Sequence, residues 1–535
     1  MKLRPPLARF SALALLLCLG DSLQPAQKPS AGQSWWKHVE ELASDEMQGR
    51  ATGSPGHRKA AEYVAREFEL AGLKPAGTSS YFQRVPIRTS RIIEARSHLV
   101  LVCDGAEEAL DLGRDVLLSG KADPPPELYA PAAFVGYGLV VPEKNHNDLA
   151  GVDLKGKIAV FLQGAPASLP AALRAHYQSH QERWRALRAA GAVGIASIPN
   201  PKAMDMPWER MKLLRFVPSL TLADERLLDT PGLKLAFTVN PAGADRLFFG
   251  TGHTLAEILS LAAADKPLPR FPLPCAIRAR VAVEHGEAAS DNVIGILSGV
   301  DRKLKDEYVL LTAHLDHIGA GAAIAGDSIY NGAMDNAGGV ASLIEIARML
   351  AASPPRRSVI LAAVTGEENG LLGSQYFTAS PTVRLESVVA TINLDMFLPL
   401  HKLTVLHVYG MHESTIGPRV WDEARQFRLR VVGDPEPERN IFIRSDQYSF
   451  IRRGIPSIYL KFGFVKRSPE EKLQKDWLRE RYHSPFDDTS QPVDIAAADR
   501  FNQLIAGLVR NLGNAKRRPR WLPGSFFRRY TQRAT

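Results

Sequence analysis

From Asp291 onward, short apolar runs alternate with amphipathic segments, and this alternation restricts what the chain can fold into. Runs such as YVLLTA and SVILAAV are apolar throughout, which is typical of strands buried on both faces. The segments between them, such as GGVASLIEIARMLAA, carry the spacing of helices. We therefore predict a mostly parallel sheet covered by helices on both faces, with ligands gathering at the carboxyl ends of its strands.

The length of 535 residues favours two or more packed units. From about residue 124 to residue 263 the sequence consists of short β-rich runs separated by turns, and this change predicts an inserted domain. The proline-rich stretch 266–274 predicts the linker by which the chain returns to the main domain. The predicted divisions are a signal peptide at 1–22, an N-terminal part of the main domain at 32–123, the insert at 124–263, the catalytic core at 275–512 and a basic tail at 516–535.

The composition, with 45% hydrophobic and 23% charged residues, is that of an ordinary globular protein. The net charge of +9 is modest for this length, and part of it lies in the tail, which contains Lys and Arg but no acid. We therefore predict no nucleic-acid partner. The tail follows the last predicted helix and carries no motif residue, so we expect a flexible segment that catalysis does not need.

The N-terminus has the pattern of an export signal. Three basic residues precede the apolar run FSALALLLCLG, which is too short to span a bilayer, and no later segment is long and apolar enough to do so. A buried helix is the alternative interpretation. Export predicts a secreted or periplasmic protein with no integral membrane span after signal removal. Cys103 and Cys275 would then remain, so one disulfide is possible, and their pairing is left open.

Polar side chains cluster where the predicted strands end or where a helix begins. They are His314, Asp316, Asp335, Glu367, Glu368 and Asp395, and His483 can reach the same edge from a loop before the last helix. Taken singly, Asp335 fits a helix cap, the glutamates a solvated pair and His483 a surface residue. Together, imidazole and carboxylate groups at one rim predict a dinuclear metal site suited to Zn²⁺.

Five motifs occur in order: H-x-D, G-A-x-D-N, G-E-E-x-G-L-L-G-S, N-L-D-M and Y-H-S-P-F-D-D. This series resembles the co-catalytic zinc exopeptidases of clan MH, the group of aminopeptidase S and glutamate carboxypeptidase. The resemblance covers about residues 291–512, and the segment before Pro86 is similar to the same family. The inserted segment resembles a protease-associated domain. The fold implied is a three-layer α/β/α domain with a mostly parallel mixed sheet, plus a β-rich insert.

By position, the resemblance implies two Zn²⁺ ions. His314 and Asp395 would bind one, Glu368 and His483 the other, and Asp335 would bridge both. Glu367 would then be the general base that activates a water shared by the two zincs.

Further residues are expected to support these ligands. We expect Asp316 to accept the free ring N–H of His314, and Asp487 or Asp488 to do likewise for His483. Tyr482 matches the family position whose hydroxyl donates to the oxyanion, although a packed loop tyrosine fits almost as well. His317 has no ligand role in the resemblance and is expected to be a loop or supporting residue.

These features predict an exported zinc aminopeptidase that acts on peptides. A carboxypeptidase of the same family is an alternative, and it should need a cation for the substrate carboxylate. Arg444, Arg452 and Arg453 lie near the site in sequence, although solvation at the surface also explains them. A glutaminyl cyclase-like acyltransferase and a non-catalytic, receptor-like protein are further alternatives. The substrate side chain, the oligomeric state and the role of the insert are left open.

Overall fold

The computed structural model describes residue 1 and residues 31–204, 206–439 and 441–533. Apart from Met1, the predicted signal peptide lies outside these described residues. The described α-helices are α1 (Ala31–Leu42), α2 (Pro55–Leu70), α3 (Ala171–Gln178), α4 (His180–Ala189), α5 (Trp208–Met211), α6 (Asp245–Phe248), α7 (Leu255–Ala263), α8 (Gly338–Ala351), α9 (Leu372–Ala379), α10 (Gly417–Gln426), α11 (Gln447–Ile451), α12 (Pro469–Glu480) and α13 (Ile495–Asn514).

The first strands lead from the N-terminal segment into the predicted insert and back. They are β1 (Lys74–Pro75), β2 (Phe82–Ile92), β3 (His98–Cys103), β4 (Ala106–Leu110), β5 (Val116–Leu118), β6 (Leu128–Ala130), β7 (Ala132–Val135), β8 (Val140–Val141), β9 (His146–Asn147), β10 (Ile158–Leu162), β11 (Gly194–Ile198), β12 (Ser219–Leu222), β13 (Leu235–Val239), β14 (Arg270–Pro272) and β15 (Ala276–Arg280).

The remaining strands belong to the predicted catalytic core. They are β16 (Val283–Leu297), β17 (Tyr308–His314), β18 (Gly319–Ile324), β19 (Asp327–Tyr330), β20 (Ser358–Val364), β21 (Val388–Asn393), β22 (Val405–Tyr409), β23 (Arg430–Val432) and β24 (Ser457–Phe462). The strands and helices predicted from the alternation after Asp291 are confirmed.

The largest sheet has the order β12-β2-β16-β20-β17-β21-β24-β22-β23, with β1 also paired to β16. Its centre, from β20 to β24, is parallel. The strands on the β2 and β16 side are antiparallel, and β22 runs antiparallel to β24. The mixed sheet is confirmed. Its parallel pairs lie at the centre and between β22 and β23, which are joined through α10, because parallel neighbours need a long crossover connection.

Helices cover both faces of this sheet. Val309 and Leu311 of β17 belong to the core shared with α8 and α13, whereas Leu310 packs on the opposite side in the core that includes α9 and α11. Alternate residues of a strand point to opposite faces, so an entirely apolar strand fits a sheet that is buried on both sides. The three-layer arrangement expected from the sequence is therefore present.

A second unit is built on a six-stranded sheet with the order β14-β7-β10-β11-β13-β5. Flanking strands join a four-stranded sheet, β4-β3-β15-β6, so regular structure in this part extends from residue 98 to residue 280. β12, from inside the predicted insert, leaves this unit and pairs with β2 at the edge of the main sheet. The divisions at residues 124 and 263, and the protease-associated assignment, stay predictions.

Cys103 and Cys275 form a disulfide, with their Cα atoms 4.3 Å apart. It joins the end of β3 to the residue just before β15, near the two points at which the chain enters and leaves the second unit. Disulfides persist mainly in oxidising compartments. In the described part of the chain, no helix combines the length and the apolar character that a membrane span needs.

The C-terminal segment is packed against the protein, so the expectation of a flexible tail is wrong. Phe527 is fully buried, and Trp521 and Tyr530 are nearly so. The Trp521 indole N–H donates to the carbonyl of Gly454 at 2.9 Å. The prediction relied on the basic residues of this segment, whereas its aromatic residues determine where it lies.

Candidate metal and catalytic site

The predicted site residues lie where the central strands end. His314 is the last residue of β17, Glu367 and Glu368 follow β20, and Asp395 follows β21. β20, β17 and β21 are adjacent and parallel, so their carboxyl ends share one edge of the sheet. Asp335 precedes α8 on the same edge. The structure therefore brings residues from four chain segments together, as the sequence predicts.

A first group of possible ligands consists of His314, Asp335 and Asp395. Nε2 of His314 lies 3.2 Å from Oδ1 of Asp335 and 3.5 Å from Oδ1 of Asp395. All three side chains are buried. Imidazole nitrogen and carboxylate oxygen are the donors that Zn²⁺ commonly takes in proteins.

A second group contains Asp335 again, with Glu368, His483 and His317. Nε2 of His483 lies 3.2 Å from Oδ2 of Asp335 and 3.0 Å from Oε2 of Glu368. Asp335 thus turns one oxygen to each group, as expected of a bridging carboxylate. His317, expected only to support its loop, has its Nδ1 2.8 Å from Oε1 of Glu368. The repeated histidine in HLDH was the available signal for this contact.

Several buried donor atoms in the two groups have no hydrogen bond within the described residues. They are Oδ1 of Asp395, both ring nitrogens of His483 and Nε2 of His317. A buried polar atom without a partner is costly, and a metal ion between such atoms removes that cost. The donor set and these unpaired atoms fit two zinc ions.

The electrostatics of the site favour cations. Burial raises the pKa of Glu368, but the charge of His483, which lies 3.0 Å away, and the hydrogen bond with His317 outweigh it and bring the pKa to about 2. Burial lowers the pKa of His483, yet Glu368 and Asp335 raise it to about 10. The negative potential that favours protons on the imidazoles also favours a divalent metal in their place.

Glu367 has different surroundings from its neighbour. Burial raises the pKa of Glu367 well above its usual range, and the negative charges of Asp395 and Glu368 add to this effect. Its carboxylate takes no part in the ion pairs and hydrogen bonds that the structure describes, whereas that of Glu368 contacts both His317 and His483. The two adjacent glutamates are therefore distinct in their contacts.

Asp316 does not accept a hydrogen bond from His314 through its side chain. Nδ1 of His314 lies 3.9 Å from the Asp316 carboxylate and 3.1 Å from its main-chain carbonyl oxygen, so the carbonyl is the partner. The carboxylate instead accepts the backbone N–H groups of Glu367 and Glu368, at 3.1 and 3.3 Å, and the hydroxyl of Thr52. Asp316 therefore fixes the turn that carries both glutamates.

Asp487 also differs from its predicted role. Its two oxygens accept the backbone N–H groups of Met334 and Asp335, at 2.9 and 3.0 Å. It thus holds the loop of the shared aspartate and not the ring of His483. Asp488 accepts hydrogen bonds from Ser490 and, among the described residues, likewise accepts none from His483. The sequence motif shows acidic residues shortly after His483, but it does not show which loop Asp487 contacts.

Arg50 was missed by the sequence analysis. Its fully buried guanidinium donates to the carbonyls of Leu315, at 2.9 Å, Asn331, at 2.6 Å, and Gly332, at 2.9 Å. These carbonyls belong to the two loops that carry His314 and Asp335. One arginine from the N-terminal segment therefore ties both ligand loops together.

A cavity opens beside the ligand groups and is lined by Glu367, Tyr482, Arg444 and Lys461. Arg452 and Arg453 are not among the described residues that line it. The ring of Tyr482 stacks on that of His483, with centroids 3.9 Å apart. The oxyanion role of the Tyr482 hydroxyl stays a prediction.

Gln447 is buried and part of the scaffold near the site. Its side-chain oxygen accepts a hydrogen bond from Asn393 at 2.8 Å. Its amide nitrogen donates to the carbonyl of Phe442 at 3.0 Å. Gln447 therefore connects the end of β21 to the segment that contains Phe442.

Comparison with known proteins identifies the same part of the chain. The profile of peptidase family M28 matches residues 292–509. A protein of Pyrenophora teres f. teres named "Probable zinc metalloprotease" is 37% identical over 224 residues, which is 40% of this chain and 47% of that protein. Aminopeptidase YwaD of Bacillus subtilis is 25% identical over 233 residues, 43% of this chain and 46% of the relative. The chain spans about half the length of these curated relatives.

Among solved structures, an aminopeptidase from Aneurinibacillus sp. strain AM-1 is similar over 92% of this chain and 95% of its own, at 19% identity and a TM-score of 0.54. At this identity the similarity shows the fold alone. The profile match and the five motifs cover the same strands and the same ligand groups. The profile of peptidase family M28 therefore matches the part of the chain that carries the proposed ligands, residues 292–509.

Proposed function

We propose that the protein is an exported zinc-dependent exopeptidase that removes N-terminal residues from peptides. The observation that carries this proposal is Asp335, which turns one carboxylate oxygen to each of two ligand groups beside a carboxylate that binds neither group. The match of residues 292–509 to the profile of peptidase family M28 supports hydrolysis of peptide bonds. The disulfide supports an oxidising compartment.

In this proposal, His314 and Asp395 hold one zinc, Glu368 and His483 hold the other, and Asp335 holds both. Bound there, the two ions would supply Lewis-acid chemistry, which polarises a carbonyl group and favours ionisation of water. The chelating atoms would be prepared by Arg50, Asp316 and Asp487, which fix the backbone of the ligand loops.

Glu367 is the proposed general base. It lines the cavity and makes no described contact that would occupy its carboxylate. It would accept a proton from the attacking water and return it to the leaving amine, while Asp316 holds its backbone N–H. The Tyr482 hydroxyl would donate to the oxygen of the tetrahedral intermediate. His317, through its hydrogen bond with Glu368, would hold the carboxylate of Glu368 in place for the second zinc.

A carboxypeptidase is the second candidate, and Lys461 is the observation that favours it. Lys461 lines the cavity, and its described contact is with the ring of Tyr459, 5.8 Å from its ammonium group. Two other cations of the cavity, Arg439 and Lys475, face the carboxylate of Glu436 at 3.0 and 3.7 Å. A lysine without a carboxylate partner can bind one from the substrate, either the C-terminal carboxylate or an acidic side chain.

The experiment that separates these candidates uses one peptide sequence in three forms: unmodified, N-acetylated and C-amidated. An aminopeptidase shortens the unmodified and C-amidated forms from the N-terminus and leaves the acetylated form intact. A carboxypeptidase shortens the acetylated form and leaves the amidated form intact. Mass spectrometry of the products of the zinc-loaded protein gives the direction.

The other two alternatives have their own outcomes in the same assay. Loss of ammonia from an N-terminal glutamine, without shortening, would indicate an acyltransferase. Zinc binding without any product would indicate a protein that binds and does not catalyse.

A further inference from the structure

Arg210 extends from the predicted insert to the loop that carries His483. It lies in α5, and its Nη1 donates to the carbonyl of Tyr482 at 2.8 Å. Its Nη2 donates to the carbonyls of Arg479 and Glu480, at 2.7 and 3.3 Å. One guanidinium thus binds three carbonyl groups in the four residues that precede His483.

The carbonyls of Arg479 and Glu480 are the last two of α12, which ends at Glu480, and that of Tyr482 follows two residues later. The last carbonyl groups of a helix have no partner within it, and they carry the negative end of the helix dipole. A cation with several planar donors is well suited to this position. Arg210 therefore supplies, from another part of the chain, the cap that ends α12 just before the ligand loop.

The backbone at His483 needs such support. Its φ is +51°, in the left-handed region that residues other than glycine rarely adopt, so the surrounding contacts must stabilise it. The Nδ1 atom of His483 has no hydrogen-bond partner among the described residues, and Nε2 faces the carboxylates of Asp335 and Glu368 in the ligand group. Outside that group, the direction of the ring depends on the backbone and on its stacking with Tyr482.

The turn is held from both sides. On the catalytic-core side, the Ser484 hydroxyl donates to the carbonyl of Arg481 at 2.7 Å. On the side of the insert, the carbonyl of Tyr482 is held by Arg210. α5 is itself anchored, because the buried Trp208 donates its indole N–H to the carbonyl of Gly113 at 3.0 Å. Arg210 thus approaches the turn from a fixed position.

We propose that Arg210 is a positioning residue that keeps His483 directed at the second ligand group, so that the inserted segment takes part in metal binding. The inference rests on the ligand role of His483 within the proposed function, but it does not depend on the direction of peptide cleavage.

The test measures zinc binding by the full-length protein. Arg210→Gln removes the cation and most donors, whereas Arg210→Lys keeps the charge but loses the planar fork. Lys212→Gln is the matched control, because Lys212 lies two residues away and pairs with the side chain of Glu209. Zinc content after dialysis and competition with a chelator would give the affinity of each zinc.

We expect the Arg210→Gln protein to lose roughly 10–100-fold in affinity for one zinc and to keep the other, as is typical when a residue that orients a ligand is removed. Arg210→Lys should fall between this variant and wild type. Lys212→Gln should match wild type. Excess zinc should restore kcat in the Arg210 variants, because the chemical groups remain.

Two measurements distinguish the proposed positioning role of Arg210 from a purely structural one. If Arg210 only stabilises the fold, the zinc-free variant should have a lower Tm while its affinity for both zincs is unchanged, and this result would overturn the inference. His483→Ala provides the reference. If it loses one zinc while Arg210→Gln keeps both at wild-type affinity, the inference is wrong and the proposed function stands. If His483→Ala itself keeps both zincs, the ligand assignment and the inference are both wrong.

Discussion

The carboxylate of Asp316 accepts the backbone N–H of Glu367 at 3.1 Å. The same carboxylate accepts the N–H of Glu368 and the hydroxyl of Thr52, so it receives three hydrogen bonds from protein groups. The proposed base and a proposed zinc ligand are therefore fixed by one buried side chain. Asp316 thus holds the backbone from which both adjacent glutamates extend.

Asp316→Asn should weaken metal binding or turnover by roughly 10–100-fold. The amide has nearly the same shape but only one acceptor oxygen, so one of the two backbone N–H groups loses its partner. Zinc affinity and kcat should be measured together, since the turn serves both glutamates. Asp306→Asn is the control, because Asp306 is exposed and lies in a turn at the far end of β17. Wild-type values for the Asp316 variant would contradict its positioning role.

Glu367→Gln and Glu368→Gln should behave differently. Glu367→Gln keeps the size of the side chain but removes the base, so we expect two bound zincs and a fall in turnover of about 10²–10⁴-fold or more. Glu368→Gln weakens a contact with His317 and His483, so we expect one zinc to bind less tightly and added zinc to restore part of the activity. Metal analysis with single-turnover kinetics compares them. The reverse pattern would exchange the two assignments.

The order of strands and helices, and the position of each proposed ligand, could be predicted because they depend on local patterns. Apolar periodicity locates β17, β20 and β21, and polar residues directly after them must share one edge. Arg50 and Arg210 could not be found in this way. Each binds carbonyl groups more than 260 positions away, and a carbonyl group leaves no signature in the sequence.

Charge was also a poor guide to the C-terminal segment. Its basic residues suggested a solvated tail, and some do lie on the surface, but Trp521, Phe527 and Tyr530 are buried beside Tyr409 and Tyr459. Both of those tyrosines line the cavity at the site. Trp521, Phe527 and Tyr530 therefore support one wall of the proposed substrate pocket.

Removal of residues 515–535 should destabilise the protein and impair activity, in contrast to the expectation of a dispensable tail. A milder variant, Phe527→Ala, should cost about 3–5 kcal/mol of unfolding free energy, because a fully buried phenylalanine side chain is lost. Arg517→Ala, at an exposed position of the same segment, should have little effect. Thermal or denaturant unfolding measures the difference. Wild-type stability of the Phe527 variant would show that this packing is unimportant.

Lys461→Met should reduce kcat/KM selectively for substrates that place a carboxylate in the cavity. We expect a loss of roughly 10–100-fold, equivalent to about 1.4–2.8 kcal/mol, for peptides with an acidic first residue or for those with a free C-terminus, and little change for uncharged ones. Which of the two peptide sets responds identifies the source of the carboxylate. Lys475→Met is the control, because Lys475 already contacts Glu471 at 2.7 Å. An equal loss for all substrates would argue against a carboxylate-binding role.

Asp335→Ala and Asp395→Ala should differ in the number of zincs lost. Asp335 offers Oδ1 to the group of His314 and Oδ2 to the group of His483, whereas Asp395 belongs to the first group alone. Removal of the shared carboxylate also removes the negative charge that both metals would balance. We therefore expect Asp335→Ala to bind neither zinc firmly, and Asp395→Ala to keep the zinc held by Glu368 and His483. Metal content after equal dialysis measures this contrast, and circular dichroism checks that both variants are folded. If the Asp335→Ala protein retained two zincs, the two ligand groups would be independent metal sites. The proposal that Glu367 activates water at a pair of zincs joined by Asp335 would then be wrong.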